Sequence, residues 1–279
     1  MAPPPKSATA KTPGKVPSPI APTRANETFS VLSYNIQAGI GTTRAHQYLT
    51  RVHQQVLSTK AKTRTLRSIG KFCAGFDVVC LQEVDLGGAR AGFENQVDLL
   101  KDASRLPHAV WQQNRKIGAI SRHGNAILSR AAIVSCDDLD LPGRVAGRGA
   151  LVVELDMEPQ TVLVCAHLSL GEADQLEQME FLADQVKRAK WARARLILCG
   201  DLNCGPASQP VKAFCEATRA VPITTTVHKS YPSWGPRQAL DHIITTDRRH
   251  DHHVLVEEDA TFSDHLPVSA EFRAGVLRA

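Results

Sequence analysis

Six short apolar runs in this sequence break off at, or carry, carboxylates, amides and histidines. VLSYNIQ presents Asn35, and VVCLQEVD presents Gln82, Glu83 and Asp85. VLVCAHLS presents His167, LILCGDLN presents Asp201 and Asn203, ALDHII carries Asp241, and TFSDHLPV carries Asp264 and His265. Apolar runs this short are the length of buried strands and too short for membrane helices. One polar residue at a strand end is a cap or a turn. Six such runs predict a single polar pocket built where several strands finish, a frequent location for chemistry on a rigid scaffold.

The elements between these runs fix the fold class. Strands are expected at Phe29–Ile36, Phe76–Val84, Asn125–Leu128, Ile133–Ser135, Ala150–Leu155, Thr161–His167, Leu196–Cys199, Ala239–Thr245 and Val268–Phe272. Helical spacing appears in Thr63–Ala74, with Leu66, Ile69 and Phe72/Cys73 on one face, and again in Asn95–Leu106. Glu172–Trp191 is the clearest helix. Leu176, Met179, Leu182/Ala183 and Val186 form its stripe, and its acids come early and its bases late, as the helix dipole favours. Many short strands with interspersed helices predict a layered α/β (α+β) sandwich rather than a strictly alternating parallel sheet.

Residues 1–26 have a different texture. They hold seven prolines, the cations Lys6, Lys11, Lys15 and Arg24, and no acid. Without an apolar stretch they are no secretory signal, and their prolines deny them a helix or a sheet. They read as a disordered, basic tail, with one catalytic domain spanning residues 27–279. The tail carries four of the chain's five units of net positive charge, so the body is nearly neutral. A strongly basic nucleic-acid surface therefore does not follow from net charge, although Lys60, Lys62, Arg64, Arg67 and Lys71, and Lys187, Arg188, Lys190, Arg193 and Arg195, form two local basic runs. Seven cysteines without a CxxC pair point to a reducing, cytoplasmic setting rather than to disulfides or structural zinc. Cys80, Cys165 and Cys199 read as core residues, and the remaining histidines, including His46, His53, His250, His252 and His253, as surface. No transmembrane segment is expected, and a monomer is the simplest state.

The polar set restricts the chemistry. Glu83 and Asp264 are hard oxygen ligands and Asn35 adds an amide oxygen, a composition suited to Mg²⁺ or Mn²⁺ rather than zinc. Asp201 and Asn203, two apart on an extended segment, place a base and a hydrogen-bond donor on one side. His167 and His265 donate to anionic oxygens when protonated. Together these groups fit in-line attack of water on a phosphate ester.

The same stretches resemble the endonuclease/exonuclease/phosphatase superfamily, which includes deoxyribonucleases, neutral sphingomyelinases and inositol-polyphosphate 5-phosphatases. SYNIQ (33–37), LQEVD (81–85), GNAILSR (124–130), AHLS (166–169), CGDLN (199–203), LDHI (240–243) and SDHLPV (263–268) occur in that superfamily's order. The resemblance implies a four-layered α/β sandwich, two mixed sheets flanked by helices. It implies Glu83 as principal metal ligand with Asn35 beside it and Asp264 helping, and Asp201 as the group that orients or deprotonates water. Asn203 would hold a phosphate oxygen, and His265 would contact the phosphate and take part in proton transfer, its ring held in one tautomer by Asp241. His167 would stabilise the transition state or assist the leaving group, and Arg148, in GRGAL, would bind phosphate. Gln82 and Asp85 read as supporting residues.

The substrate stays open at this level. Apurinic endonucleases carry Tyr-x-Pro-Asn where this chain has AHLS. A histidine there is like the deoxyribonuclease, sphingomyelinase and 5-phosphatase branches. Tyr231, Trp234 and Arg237 could form a substrate wall before the Asp241 strand. Nucleic acid leads, with a phospholipid or a small phosphate ester as alternatives and a catalytically silent phosphate-binding module as the non-enzymatic one.

Overall fold

The computed structural model describes residues 28–44, 46, 59–188, 191, 193–249 and 252–273. The tail expected at residues 1–26, with His53, Lys190 and His250, lies outside them. The described residues form two six-stranded mixed sheets. The first has the order β11 (His253–Val256), β12 (Val268–Arg273), β1 (Thr28–Asn35), β2 (Val78–Asp85), β4 (Ser121–Ser129), β3 (His108–Ile117). The second runs β5 (Ile133–Asp140), β6 (Gly149–Leu155), β7 (Thr161–His167), β8 (Arg195–Asp201), β10 (Asp241–Thr245), β9 (Val221–Pro222).

Pairing within each sheet is antiparallel except for β1–β2 and β7–β8. Parallel neighbours need a crossover, and helices supply it: α1 (Lys60–Cys73) lies between β1 and β2, and α3 (Glu172–Val186) between β7 and β8. Two further helices, α2 (Gln96–Ser104) and α4 (Gln209–Thr218), pack beside them.

Three apolar clusters make the four layers. Val31, Cys80, Ile127, Leu151, Cys165, Ile197, Cys199 and Ile243 fill the space between the sheets. Leu32, Tyr34, Val79 and Leu81 face Leu66, Ile69 and Leu100 of α1 and α2. Val152, Val164 and Leu198 face Met179, Leu182 and Phe214 of α3 and α4. Central strands are therefore buried on both faces and read as unbroken apolar runs, whereas β5, at a sheet edge, alternates half-buried and exposed. The three cysteines expected in the core lie there, and all seven cysteines are unpaired.

Several boundaries moved. α3 stops at Val186, not Trp191. Trp191 is instead buried, its Nε1 donating to Glu154 Oε2 at 3.1 Å. Two members of the basic runs are not surface charges at all. Lys62 is buried and donates to the Arg90 carbonyl at 2.9 Å, while desolvation and the nearby Arg90 push its ammonium down to about 8. Arg195 is buried at the start of β8, bonded to Arg273 O and Thr161 Oγ1 and lying over Phe29. Lys187, Arg188 and Arg193 follow the end of α3, and Arg195 opens β8, at the far end of the sandwich from the strand tips that carry the polar set. Among the described residues no helix is long and apolar enough to cross a membrane.

Candidate active site

Strand direction gathers the polar residues at one end. β1, β2, β7 and β8 finish there, and β4, β6, β10 and β12 begin there. His167, Asp201 and Asp241 lie in one cross-strand row over β7, β8 and β10. Directly paired residues point to the same face, so the row projects as a unit into the cleft between the sheets. From the first sheet come Asn35, at the tip of β1, and Glu83, in a bulge of β2 at φ 58°. That bulge breaks the β2–β4 ladder between Leu81 and Val84 and re-aims Glu83. Asp264 and His265 sit on the loop into β12.

Asp201 stands at the centre. Its Oδ2 accepts from Asn35 Nδ2 at 3.0 Å, and its Oδ1 accepts from the Asn203 backbone at 3.1 Å. Two imidazoles flank it: His167 Nε2 and His265 Nε2 lie 3.6 and 3.7 Å from Asp201 Oδ2. Burial raises its carboxyl to about 6, with Asp241 adding to the rise and His265 opposing it. Glu83 is also raised, first by desolvation and then by Asp264.

The two histidines differ in charge. Burial disfavours the cationic form of His265, but Asp241 and Asp201 outweigh it and hold the ring protonated well above the ordinary range. Asp241 Oδ2 accepts from His265 Nδ1 at 2.8 Å and from Ser230 Oγ at 2.5 Å. His167 is driven the other way by burial, Arg148 and His265, so its ring is neutral. Its Nε2 faces Arg148 Nη1 at 2.6 Å, where the guanidinium donates and the imidazole accepts.

The structure therefore brings all nine expected residues to one cleft, with two qualifications of role. Asn35 turns its NH₂ group toward Asp201 and Glu83, and its oxygen accepts from Gln37 N. One hydrogen of the Asn203 amide is already given to Leu168 O at 3.0 Å, leaving the other for a ligand. Gln82 points into the core, donating to Cys80 O and facing Cys165 Sγ. Tyr231 packs its ring 4.8 Å from the His265 ring, while Arg237 is exposed.

The supporting amides and hydroxyls escaped sequence reading. Gln37 donates to Asp264 Oδ2 at 3.0 Å. Gln175 and Gln178 of α3 hold Ser169, Asn203 and Pro142, tying the loops after β5 and β7 together. Asp264, Asn203 and Pro142 are remote in sequence from the amides that hold them, a pairing no local pattern encodes. GNAILSR held one legible signal: Asn125 donates to Gly149 O at 2.8 Å and to Gln112 Oε1, bridging the sheets beside Arg148.

Glu83, Asp201, Asp241 and Asp264 crowd four carboxyl groups into a cleft that also holds Arg148 and the His265 cation. Asp241 Oδ1 is buried without a partner among the described residues. The ligand atoms of Asp201, Asp241 and His265 also lie within 4.8 Å of one another, but His265 is held protonated against Asp241, so its ring has no lone pair for a metal and a cation would fall to the carboxylate and amide oxygens. Hard oxygens and unrelieved negative charge fit a divalent cation of the Mg²⁺ or Mn²⁺ type.

A two-sheet sandwich with a carboxylate and imidazole cleft at its strand ends is the class defined by fold and site. The chain belongs to the Endonuclease/Exonuclease/phosphatase family, whose sequence model matches residues 32–265. The fold is similar to the human Nocturnin catalytic domain (TM-score 0.65, 18% identity, 91% of this chain and 97% of that one). It is also similar to an endonuclease/exonuclease/phosphatase from Beutenbergia cavernae (TM-score 0.62, 22% identity, 90% and 73%) and to Caenorhabditis elegans TDP2 (TM-score 0.61, 16% identity, 88% and 98%). No curated protein matches the chain in sequence.

Proposed function

We propose that residues 27–279 form one catalytic domain that hydrolyses phosphate esters in a divalent-metal-dependent reaction, with nucleic acid as the leading substrate. One observation carries the reading: Asp201, raised to about 6, sits between Asn35 and two imidazoles, one neutral and one cationic. A base poised near neutral pH beside a fixed cation is the arrangement that water attack on a phosphate needs.

In this reading Glu83, Asn35 and Asp264 would hold Mg²⁺ or Mn²⁺. Asn35 keeps a lone pair for this on the oxygen that accepts from Gln37. The bound cation supplies positive charge against the phosphate oxygens and lowers the pKa of water. Asp201 takes the proton from the attacking water. His265, oriented and kept charged by Asp241, hydrogen-bonds a phosphate oxygen as negative charge builds. Asn203 offers its remaining amide hydrogen to a second oxygen. Arg148 braces the neutral His167 and adds positive charge beside the leaving group. The unpaired cysteines support a reducing, cytoplasmic location.

A lipid substrate is the second reading, favoured by apolar residues on loops at the catalytic end. Phe93, Val145 and Leu170 are 72, 58 and 78% exposed there. The deciding experiment is a panel of duplex DNA, single-stranded DNA, RNA, sphingomyelin, phosphoinositides and nucleotide esters, with Mg²⁺ or Mn²⁺ and with chelator. Metal-dependent turnover of the nucleic acids supports the leading reading, and turnover confined to the lipids selects the second. Binding without turnover of any member marks a silent module and overturns the enzymatic proposal.

A further inference from the structure

We propose that Arg115, beside Arg148, forms a second anion subsite that takes the phosphate next to the scissile one in a polynucleotide strand; this rests on the phosphoesterase reading above. The argument starts from strand register. Gln113 pairs with Gly124 and Arg115 with His123, so Asn114 is an extra residue, a bulge in edge strand β3. Before the bulge the pleat alternates normally: Gln112 faces inward, accepting from Asn125 Nδ2 at 3.0 Å, while Gln113 is exposed. In an unbroken ladder Arg115 would share the outer face with Gln113. The inserted Asn114 flips the alternation and puts Arg115 on the face of its partner His123, which is also the face of Asn125, toward the cleft.

Two further observations place Arg115 beside the site. Its stem lies along Gly147, where a Cβ would come within 2.8 Å of Arg115 Cβ and 3.2 Å of its Cδ. Gly147 has φ 96° and immediately precedes Arg148, so the glycine serves both the turn and the close passage of the arginine. Arg115 is also near enough to Arg148 and His123 for its charge to act on both.

The two arginines are then employed differently. Arg148 is tied to His167. The Arg115 side chain is exposed and makes no hydrogen bond or ion pair among the described residues. A guanidinium steered toward the cleft by a bulge, seated on a glycine and left without a carboxylate, suits a substrate anion. A strand whose phosphates repeat along its length offers such an anion beside the one being cleaved.

The test uses thymidine trinucleotides with two diester linkages, and the two isomers in which one linkage is a neutral methylphosphonate. Bis(p-nitrophenyl) phosphate serves as the single-phosphate comparison, all with Mg²⁺ or Mn²⁺. Arg115→Gln should lower kcat/KM on the all-diester trinucleotide roughly ten- to hundredfold, the range of one charge-assisted hydrogen bond, and tenfold less on the single-phosphate ester. Neutralising one particular neighbour should cost the parent a similar factor and cost Arg115→Gln almost nothing. The dependence of log kcat/KM on log salt should flatten by somewhat under one in the variant. Equal losses on both substrates, no loss on either, or a variant still sensitive to the neutral neighbour would overturn the subsite. A parent that hydrolyses the single-phosphate ester but not the trinucleotide overturns the polynucleotide assignment alone. A parent active on neither overturns the phosphoesterase reading beneath it.

Discussion

Asp241 Oδ2 lies 2.8 Å from His265 Nδ1, and its partner Ser230 Oγ fixes the same oxygen from the other side. This pair sets which imidazole nitrogen faces Asp201 and why the ring stays charged. Asp241→Asn keeps the size of the side chain but removes its charge and offers Nδ1 a weaker acceptor. Turnover should fall about 10–100-fold, as for other residues that orient a catalytic histidine. The thermal midpoint should stay near that of the parent. The alkaline limb of the pH–rate profile should shift to lower pH, because His265 loses the main charge that keeps it protonated. An unchanged limb would show that Asp241 does not govern the His265 ring.

Glu83→Gln should weaken the response to the cation while leaving the fold intact. Glu83 reaches the cleft only through its β2 bulge at φ 58°, and Asn35 Nδ2 lies 3.4 Å from its Oε1, a contact an amide oxygen can keep. Activity titrated with Mg²⁺ should reach half-maximum at a concentration at least tenfold higher than in the parent. A titration curve that overlays the parent's would remove Glu83 from the metal site.

His123 gives a stability signature independent of catalysis. Arg90 Nη2 lies 3.1 Å from its Nδ1, so the ring accepts and is neutral. Burial, with Arg90 adding, lowers its pKa to about 4. The unfolded chain therefore binds a proton between pH 6.5 and 4 that the folded chain refuses. The stabilisation is complete above pH 6.5 and is lost as pH falls through that window. The loss should be on the order of 2 kcal/mol, less than the full shift would give because the ring keeps some contact with water. In His123→Asn, which retains an acceptor but does not titrate, denaturant melts should lose about one proton of this acid dependence. Identical acid slopes in parent and variant would refute the assignment.

Gly200 precedes Asp201 and pairs with Ala166 where β8 runs parallel to β7, and an added Cβ would stand 1.9 Å from the backbone oxygen of Ala166. Neither backbone can yield without breaking the His167–Asp201–Asp241 row. Gly200→Ala should cost about 1–3 kcal/mol in denaturant melts and reduce activity beyond what that loss explains. A variant with parental stability would show that the strands have slack.

How much of this was legible depended on burial. The central strands announced themselves because both faces are buried: β7 lies at Thr161–His167, residue for residue as expected. Edge strands did not. β5 continues through Cys136 and three aspartates to Asp140, and β3 carries Gln112, Gln113, Asn114 and Arg115, a polar stretch that hides its pleat. β11 and α4 were missed as well, α4 because Pro210 reads as a breaker although it sits in the first helical turn, where its missing N–H costs nothing. At the site, side chains on strand tips were readable from apolar runs. Gln37, Ser230, Gln175 and Gln178 were not, because each serves a partner that only the tertiary fold brings near.

The most direct measurement is hydrolysis of bis(p-nitrophenyl) phosphate by the parent and by Asp201→Asn over a Mg²⁺ and Mn²⁺ titration, each checked for folding by circular dichroism. The parent should turn over with metal and stop with chelator, and Asp201→Asn should be slower by 10²–10⁴-fold, the usual contribution of a general base. Turnover that persists in chelator, or an Asp201→Asn enzyme within a few-fold of the parent, would contradict the account.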